Sequence, residues 1–499
     1  MVSMTALLDT LDTVDDAAAF ALLDELRNHD DLATVGGGDA FRAAKILCER
    51  GEPNDLPTAA DLAWRAHNDG IDGAGVIFAS CADRMALMSG RPQRFGTVLM
   101  PHLGDAHLAP LDGTVPDELR KQLGLQDLSA MRVQVDELNR QQARERATTK
   151  ELPKDLSFAR IWRDPTAAEL RARMSAEGQP VWADGDELTL VCDRPLAGAI
   201  AGPVFEMPLW RVDDLLVLTV QVKRLSEAVF TYGFWPLTPE GSPAFTRRPD
   251  PEGRFRGPDA RPPAPTNDEI VGQLLDHAVE SASLGEPRRV RVYRPPGHTK
   301  TEKLPVVYAT DGQMFAPFAR RIDAAIQAET MPRVVVVAAD SAGFDPARGG
   351  NLRAYEYLYG FDPRRYERHE RFFVDELQRW AEDELGVSAE REHRVVFGCS
   401  DGGGHAMTTG LFHADRFGSV VAYSTGTPPQ GHERWGEGEA PYIELCAGIF
   451  EPAFFGATQA WTHWLTMLEI RHHWTERVCG HEPLQWVEEL PSALARALG

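Results

Sequence analysis

The stretch Gly398-Cys-Ser-Asp-Gly402 decides how the C-terminal half of this chain is expected to fold. It follows the run Arg394-Val-Val-Phe397, which suits a strand, and it precedes Gly403-Gly404-His405-Ala406-Met407, which can begin a helix. A G-x-S-x-G pattern between a strand and a helix is the signature of a nucleophile elbow, where glycines on both sides of the serine remove the clashes of a tight turn. We therefore predict that Ser400 lies at the tip of this turn, with helix amides behind it.

The residues around the elbow alternate between apolar runs and amphipathic segments. The segment 366–385 suits a helix, and the uninterrupted run at 333–339 suits a parallel strand that is buried on both faces. Runs that suit strands occur at 290–293, 304–310, 333–339, 394–398, 419–423 and 442–447. Strands that alternate with helices predict a doubly wound α/β sheet over 266–499.

Serine is a weak nucleophile at neutral pH, so Ser400 needs a base, which in this type of fold follows it in the chain. The histidines after Ser400 are His405, His413, His432, His463, His472, His473 and His481. His481 is in a Cys-Gly-His-Glu-Pro loop before a terminal amphipathic segment, and such a loop can swing over the elbow. Because His405 would lie on the helix behind the serine, and His472 and His473 suit structural roles, we predict His481 as the base.

The orienting carboxylate is expected just after the apolar run at 442–447. Glu451, in Gly448-Ile-Phe-Glu-Pro452, has that position and would fix the tautomer of His481 and stabilise its imidazolium form. Glu444 is an alternative, although in mid-strand it would point into a face of the sheet. Glu451 could also serve only to favour a helix that begins at Pro452, because an acid there complements the helix dipole.

Two backbone amides are expected to stabilise a developing oxyanion in this type of site. The first belongs to Asp401, which follows the nucleophile. The second is expected in the loop after an earlier strand, and the Gln313 amide in Thr310-Asp-Gly-Gln-Met314 suits that position. Asp311 of the same loop is expected to stabilise its own turn rather than to act in catalysis.

The composition narrows the class of protein. The chain has 499 residues, a length that predicts two to four domains. Its formal net charge of -23 argues against nucleic acid and anionic membranes as partners. Its six scattered cysteines form no CxxC pair and are expected to be reduced and buried. The first residues lack a basic and apolar leader, and no run of 18 apolar residues occurs, so we expect a cytoplasmic location without a membrane span.

Three regions precede the α/β part. Residues 1–150 have apolar positions at helical spacing and predict a helical domain whose role the sequence leaves open. Residues 165–238 contain short alternating runs separated by turn residues, which predict a small β-sandwich. The proline density at 239–265 predicts a linker or arm rather than a packed element.

Seven pieces of sequence together resemble the enterochelin-esterase-like family of the α/β-hydrolases. They are Leu304-Pro-Val-Val-Tyr-Ala-Thr-Asp-Gly-Gln313, Arg353-Ala-Tyr-Glu-Tyr357, Phe372-Phe-Val-Asp-Glu376, Gly398-Cys-Ser-Asp-Gly-Gly403, Phe417-Gly-Ser-Val-Val-Ala-Tyr-Ser424, Gly448-Ile-Phe-Glu-Pro452 and Gly480-His481. The resemblance covers about 280–495. It implies an α/β-hydrolase domain, and it implies that the strands at 165–238 form an early-set, immunoglobulin-like domain.

The same resemblance implies a role for two residues in the loop after 333–339. Arg353 and Glu356 would face the substrate or anchor the loop, because such loops line the cleft at the carboxyl end of a sheet. An ordinary surface ion pair is the alternative. Trp486, shortly after His481, is expected to support packing rather than to bind substrate.

Together these features predict a serine carboxylic-ester hydrolase that acts on a small-molecule ester, with a siderophore lactone as one candidate substrate. An acyltransferase of the same fold and a non-catalytic binding or regulatory protein are the alternatives. No metal or organic cofactor is expected. The acyl group, the alcohol and the oligomeric state stay open.

Overall fold

A computed structural model describes the protein except for residues 1–2, 15, 90, 103–104, 110, 113–114, 150–151, 153, 155, 240–242, 246–248, 346–349 and 437. The chain divides into two compact units, Met1–Asp164 and Pro165–Gly499. Within the described ranges, no helix is both long and apolar enough to cross a membrane. All six cysteines are buried and free.

Helices make up most of the first unit. They are α1 (Met4–Leu11), α2 (Asp16–Arg27), α3 (Gly37–Arg50), α4 (Leu56–Asn68), α5 (Ala74–Met88), α6 (Asp117–Gln122) and α7 (Leu128–Thr149). Helices α3 and α4 pack closely, because fully buried small residues such as Ala43, Ala59 and Ala63 let their backbones approach. The predicted helical N-terminal region is therefore present.

A β-hairpin interrupts this helical unit, and the sequence patterns did not indicate it. Strands β1 (Leu99–His102) and β2 (Asp105–Leu108) pair antiparallel, and β3 (Phe158–Arg160) follows α7. The side chain of Asn139 on α7 accepts a hydrogen bond of 2.7 Å from the Ala106 amide and donates one of 2.8 Å to its carbonyl, so it satisfies the edge of β2 as a further strand would. A strand that depends on a side chain 33 residues away leaves little local signal.

The second unit begins with α8 (Ala167–Glu177) and two antiparallel sheets. Their strands are β4 (Val181–Asp184), β5 (Glu187–Cys192), β6 (Gly198–Pro203), β7 (Met207–Pro208), β8 (Trp210–Val212), β9 (Leu215–Val222), β10 (Val229–Leu237) and β11 (Gly253–Arg256). In one sheet β9 pairs with β5 and β8, and β5 pairs with β4; the other has the order β11-β10-β6-β7. Of these strands, β5, β9 and β10 form where short alternating runs predicted them.

Strand β11 lies inside the segment 239–265 that was expected to be an unpacked linker, so that expectation is wrong for these four residues. Phe255 is 9% exposed, and its ring stacks on that of Phe230 in β10 with centroids 5.0 Å apart. Prolines on either side of a short strand do not prevent pairing, because an edge strand needs few ladder hydrogen bonds.

Eight strands form the central sheet of the second unit, in the order β12-β13-β15-β14-β18-β19-β20-β21. The strands after β11 are β12 (Gln273–Val279), β13 (Arg288–Arg294), β14 (Val306–Ala309), β15 (Val335–Ala339), β16 (Phe344–Asp345), β17 (Gly350–Asn351), β18 (Arg394–Cys399), β19 (Ser419–Tyr423), β20 (Tyr442–Gly448) and β21 (His472–Arg477). β12 and β13 are antiparallel, and the other six strands of the sheet are parallel. The predicted doubly wound α/β sheet is confirmed.

Helices cover both faces of this sheet. They are α9 (Ala316–Gln327), α10 (Leu352–Tyr357), α11 (Pro363–Arg371), α12 (Leu377–Leu385), α13 (Asp401–Phe412), α14 (Pro452–Met467) and α15 (Pro483–Leu498), with a π-helical turn, Phe372–Glu376, between α11 and α12. Residues of α9 and α15 pack on one face, and residues of α12, α13 and α14 pack on the other. Because both faces are filled, the carboxyl ends of the parallel strands are where polar side chains can meet solvent.

Candidate active site

The turn between β18 and α13 has the geometry of a nucleophile elbow. Ser400 has φ +60° and ψ -129°, a conformation that costs a residue with a side chain on the order of 1–3 kcal/mol. A Cβ at Gly398 would lie 1.9 Å from the Gly402 carbonyl oxygen, and a Cβ at Gly402 would lie 2.3 Å from Oγ1 of Thr310. Both glycines are therefore required for the chain to turn so tightly and to expose the serine.

Ser400, His481 and Glu451 form a continuous hydrogen-bonded row. Oγ of Ser400 lies 3.0 Å from Nε2 of His481, and Nδ1 of His481 lies 2.5 Å from Oε2 of Glu451. This arrangement suits a histidine that carries its proton on Nδ1 and presents Nε2 to the serine as an acceptor. The three residues come from the ends of β18 and β20 and from the loop before α15.

Glu451 is 4% exposed and is held by more than the histidine. Its Oε1 accepts hydrogen bonds from the Gly448 amide at 2.6 Å, from Oγ of Ser424 at 2.6 Å and from Nε2 of Gln485 at 3.1 Å. These three donors fix the position of the carboxylate, so that its other oxygen, Oε2, faces Nδ1 of His481.

The competing carboxylate, Glu444, is part of a separate cluster. Its oxygens accept two hydrogen bonds of 2.8 Å from Arg496 and one of 2.6 Å from the Tyr442 hydroxyl, and Nδ1 of His473 lies 3.1 Å away. Glu444 therefore links β20 to α15 and β21, whereas Glu451 is the carboxylate that contacts His481.

Aromatic rings fix the orientation of the His481 imidazole. The Phe454 ring stacks on it at 3.7 Å between centroids, and the Trp486 ring meets it edge-on at 5.0 Å. Trp486 also donates a hydrogen bond of 2.9 Å from its indole N–H to Oγ of Ser424, which in turn contacts Glu451. Phe454 gave no signal in the sequence beyond its position one turn after Glu451.

His405 lies behind the elbow, as its position in the sequence indicated. It is 1% exposed, and its ring packs 5.1 Å from that of Tyr357 and 4.9 Å from that of His369. Burial and the neighbouring His369 hold the pKa of His405 well below its usual range. A histidine that stays neutral in the core is a structural residue.

The two amides expected to bind the oxyanion belong to adjacent elements. Asp401 is the first residue of α13, and Gln313 is in the 3-10 turn Gly312–Met314 that follows β14, the neighbour of β18 in the sheet. N–H groups in the first turn of a helix have no acceptor within it. The Gln313 side chain donates a 2.7 Å hydrogen bond to Oγ of Ser341 and accepts one of 3.1 Å from its amide, which anchors this turn.

Arg353 joins the turn after β14 to the start of α13 through Asp311 and Asp401. Its Nε and Nη2 donate hydrogen bonds of 2.7 and 2.9 Å to Asp311, and its Nη1 donates one of 2.6 Å to Asp401. Burial opposes the charge on Arg353, but the hydrogen bonds and charge of Asp311 outweigh it and raise its pKa. Asp311, which the sequence reasoning assigned to its own turn, thus binds an arginine 42 residues away.

Glu356 lies apart from this group. It is 1% exposed, and its two oxygens accept hydrogen bonds of 2.9 and 3.0 Å from Arg288 and one of 3.1 Å from the Ala342 amide. These contacts favour the loop-anchoring alternative for Glu356, because a carboxylate that is buried and fully engaged has no surface left for substrate.

A cleft of about 540 Å³ opens beside His481, between the second antiparallel sheet and the start of α9. Glu482 lines it, and its carboxylate accepts hydrogen bonds from the amide and the hydroxyl of Thr231 in β10. Burial raises the pKa of Glu482 to about 7, although the bonds from Thr231 act in the opposite direction. His481 lines the same cleft, so this space adjoins the row of hydrogen bonds between Ser400, His481 and Glu451.

Comparisons with known proteins bear on the same part of the chain. The family model described as "Putative esterase" matches residues 281–491. Among solved structures, an enterobactin esterase from Shigella flexneri has 20% identity and a TM-score of 0.49, over 64% of this chain and 94% of that one. The ferric enterobactin esterase from Salmonella typhimurium has 19% identity and a TM-score of 0.49, over 64% and 95%.

A ferulic acid esterase from Anaeromyces mucronatus is also similar, with 16% identity and a TM-score of 0.40 over 47% of this chain and 94% of that one. The family match is the stronger finding, because it spans the elbow, Glu451 and His481 in a single segment. Residues 281–491 thus resemble the esterase family of that description, and the match supports a carboxylic-ester hydrolase built on the α/β sheet.

Proposed function

We propose that the protein is a serine esterase whose catalytic triad is Ser400, His481 and Glu451. The observation that carries the proposal is the row of two hydrogen bonds, 3.0 and 2.5 Å long, that joins a strained serine to a buried carboxylate through one imidazole. The order serine, acid, histidine along the chain is also that of α/β-hydrolases.

The proposed reaction has two halves. Oγ of Ser400 attacks the ester carbonyl while Nε2 of His481 takes its proton, and the histidine then gives that proton to the departing alcohol. Water then attacks the acyl carbonyl while the same nitrogen takes its proton, and the histidine returns that proton to Oγ of Ser400 as the bond to the acid breaks. Glu451 stabilises the imidazolium form, and the amides of Asp401 and Gln313 stabilise the oxyanion in both halves.

Hydrolysis of 4-nitrophenyl butyrate and labelling by a fluorophosphonate test this proposal. Ser400→Ala should abolish both, because the nucleophile is gone, whereas Ser175→Ala, which removes an exposed hydroxyl of α8, should leave both unchanged. Equal hydrolysis by the wild type and Ser400→Ala would overturn the triad.

The motifs that resemble enterochelin esterases make siderophore trilactones a substrate class to test within this proposal. Mass spectrometry of cyclic and linear siderophore lactones incubated with the wild type and with Ser400→Ala would detect ring opening. Hydrolysis of simple aryl esters without any ring opening would retain the serine esterase and exclude the siderophore substrate.

A further inference from the structure

The cleft beside His481 combines apolar walls with three arginines. The apolar walls are formed by Pro203, Trp235, Pro249, Pro251, Pro317 and Val487. The arginines are Arg254 of β11 and Arg320 and Arg321 of α9. Two elements that are far apart in the sequence thus bring positive charge to one cleft, in a chain whose formal net charge is -23.

None of these three guanidinium groups forms a hydrogen bond or an ion pair with any residue that the structure describes. Arg254 and Arg320 are exposed, so water can solvate them. Arg321 is different, because it is only 9% exposed and its Nη1 is buried without a hydrogen-bond partner. A buried unpaired donor on a charged group is unfavourable and rare in folded proteins.

The charges around Arg321 add to the cost of burying its unpaired guanidinium group. Burial lowers the pKa of Arg321, and the positive charges of Arg254 and Arg256 act in the same direction. Glu488 opposes them, but its oxygens already bind Arg256 at 3.1 Å and Arg477 at 3.4 Å. An arginine keeps its charge in proteins, so an anion in the cleft would offset the excess positive charge around Arg321.

We propose that this cleft binds an anionic oxygen group carried by an apolar or aromatic part of the ester substrate, with Arg321 as the main contact and Arg254 and Arg320 beside it. A guanidinium matches the geometry of a carboxylate or phosphate, and the proline and tryptophan walls suit a flat apolar body. The inference deepens the proposed function and rests on it only in assigning the ligand to the substrate.

Direct binding tests the cleft without relying on catalysis. Calorimetry would compare 2-naphthoate, 2-naphthyl phosphate and the neutral 2-naphthamide on the full-length chain. At least one anion should bind about tenfold or more tightly than the amide, and Arg321→Gln should remove that preference while leaving amide binding unchanged. Tighter binding of 2-naphthoate would indicate a carboxylate ligand, and tighter binding of 2-naphthyl phosphate would indicate a phosphate ligand.

Two further variants keep this test decisive. Arg254→Gln, at an exposed position, should weaken anion binding even if Arg321→Gln folds poorly. Arg379→Gln, an exposed arginine of α12 outside the cleft, should bind all three probes like the wild type. The proposal is overturned if the wild type binds both anions no better than the amide, or if Arg379→Gln loses as much anion binding as Arg254→Gln.

Kinetics then connect the cleft to the ester. The 4-nitrophenyl monoester of suberic acid and 4-nitrophenyl octanoate differ in a terminal carboxylate. Arg321→Gln should lower kcat/KM for the first about tenfold and change the second less than twofold. If Ser400→Ala retained activity, the proposed function would fail while the binding result stood. If hydrolysis were lost in Ser400→Ala but the two esters responded equally to Arg321→Gln, the substrate assignment would fail by itself.

Discussion

Ser400 is held in a backbone conformation that its side chain disfavours, and hydrogen bonds from its neighbours offset that cost. Its amide donates a 2.9 Å hydrogen bond to the Tyr423 carbonyl, and its own carbonyl accepts from the amides of Gly403, Gly404 and Gly426 at 2.9, 3.1 and 3.0 Å. The residue is therefore preorganised before any substrate arrives, which is how strain at a functional position can persist.

The contacts of Glu451 lead to a prediction at this scale. Glu451→Gln keeps the shape of the side chain but removes the charge that stabilises the imidazolium, so kcat should fall on the order of 10³-fold or more with little change in KM. Steady-state hydrolysis of 4-nitrophenyl butyrate, scaled to the folded fraction, measures this.

Glu444→Gln serves as the matched control, since Glu444 is a buried carboxylate of β20, the strand that leads to Glu451, and it pairs with Arg496. We expect it to lower the free energy of unfolding but to leave kcat of the folded protein within about threefold. An equal loss of kcat in both variants would contradict the assigned role of Glu451.

At the scale of elements, the site depends on how closely β18, α13 and the loop after β14 approach each other. Gly398 and Gly402 have no room for a Cβ, and a Cβ at Gly403 would lie 2.6 Å from the Tyr423 carbonyl oxygen. The helix begins directly after Ser400, so its first amides lie next to that residue. Arg353 then holds the two loops in register through Asp311 and Asp401.

Gly398→Ala should both destabilise the protein and abolish activity, because its methyl group would meet backbone atoms that cannot move aside. We expect the free energy of unfolding to fall by about 1–3 kcal/mol or more. Gly456→Ala is the control: this glycine of α14 has nothing within 4 Å of an added Cβ, so alanine should be neutral or stabilise the helix by about 1 kcal/mol. Urea unfolding measures both, and wild-type stability in Gly398→Ala would refute the steric argument.

At the scale of the whole second unit, the antiparallel sheet and the catalytic sheet meet at the loop that carries His481. The Val229 amide of β10 donates a 2.9 Å hydrogen bond to the Val478 carbonyl, and Thr231 of the same strand binds Glu482. The histidine is therefore positioned by β10 as well as by its own loop. This observation gives the antiparallel sheets a function in the site that their sequence did not indicate.

Glu482 leads to a pH prediction at this scale. Its folded pKa of about 7 lies above its ordinary value of 4.5, so the stability that it contributes is fully present below about pH 4.5 and is lost as the pH rises through 7. The loss amounts to about 3 kcal/mol. Relative to Glu482→Gln, which cannot ionise, the wild type should lose this amount of unfolding free energy between pH 4.5 and pH 8.

Urea unfolding at several pH values checks this difference. Glu280→Gln, at an exposed position, should keep the pH dependence of the wild type. The same pH dependence in the wild type and Glu482→Gln would show that Glu482 ionises normally.

Local patterns predicted the elements that are locally determined. Glycines around Ser400, long apolar runs and helix starts act within a few residues, so the α/β sheet and the elbow could be predicted. The hairpin β1–β2 and the strand β11 could not, because Asn139 and Phe230 stabilise them from distant positions. The same holds for Arg353, whose partners lie 42 and 48 residues away.

The amino-acid sequence by itself determined the order of the strands along the chain, the serine on its turn and the candidate acid and base that follow it. Only the tertiary structure decided that Glu451 rather than Glu444 meets His481, and that Arg353 bridges two loops. It also decided that three arginines with no partner among the described residues share a cleft with apolar walls. The physical reason is range: turn sterics and helix propensity act between neighbours, whereas charge pairing and burial depend on which distant residues the fold brings together.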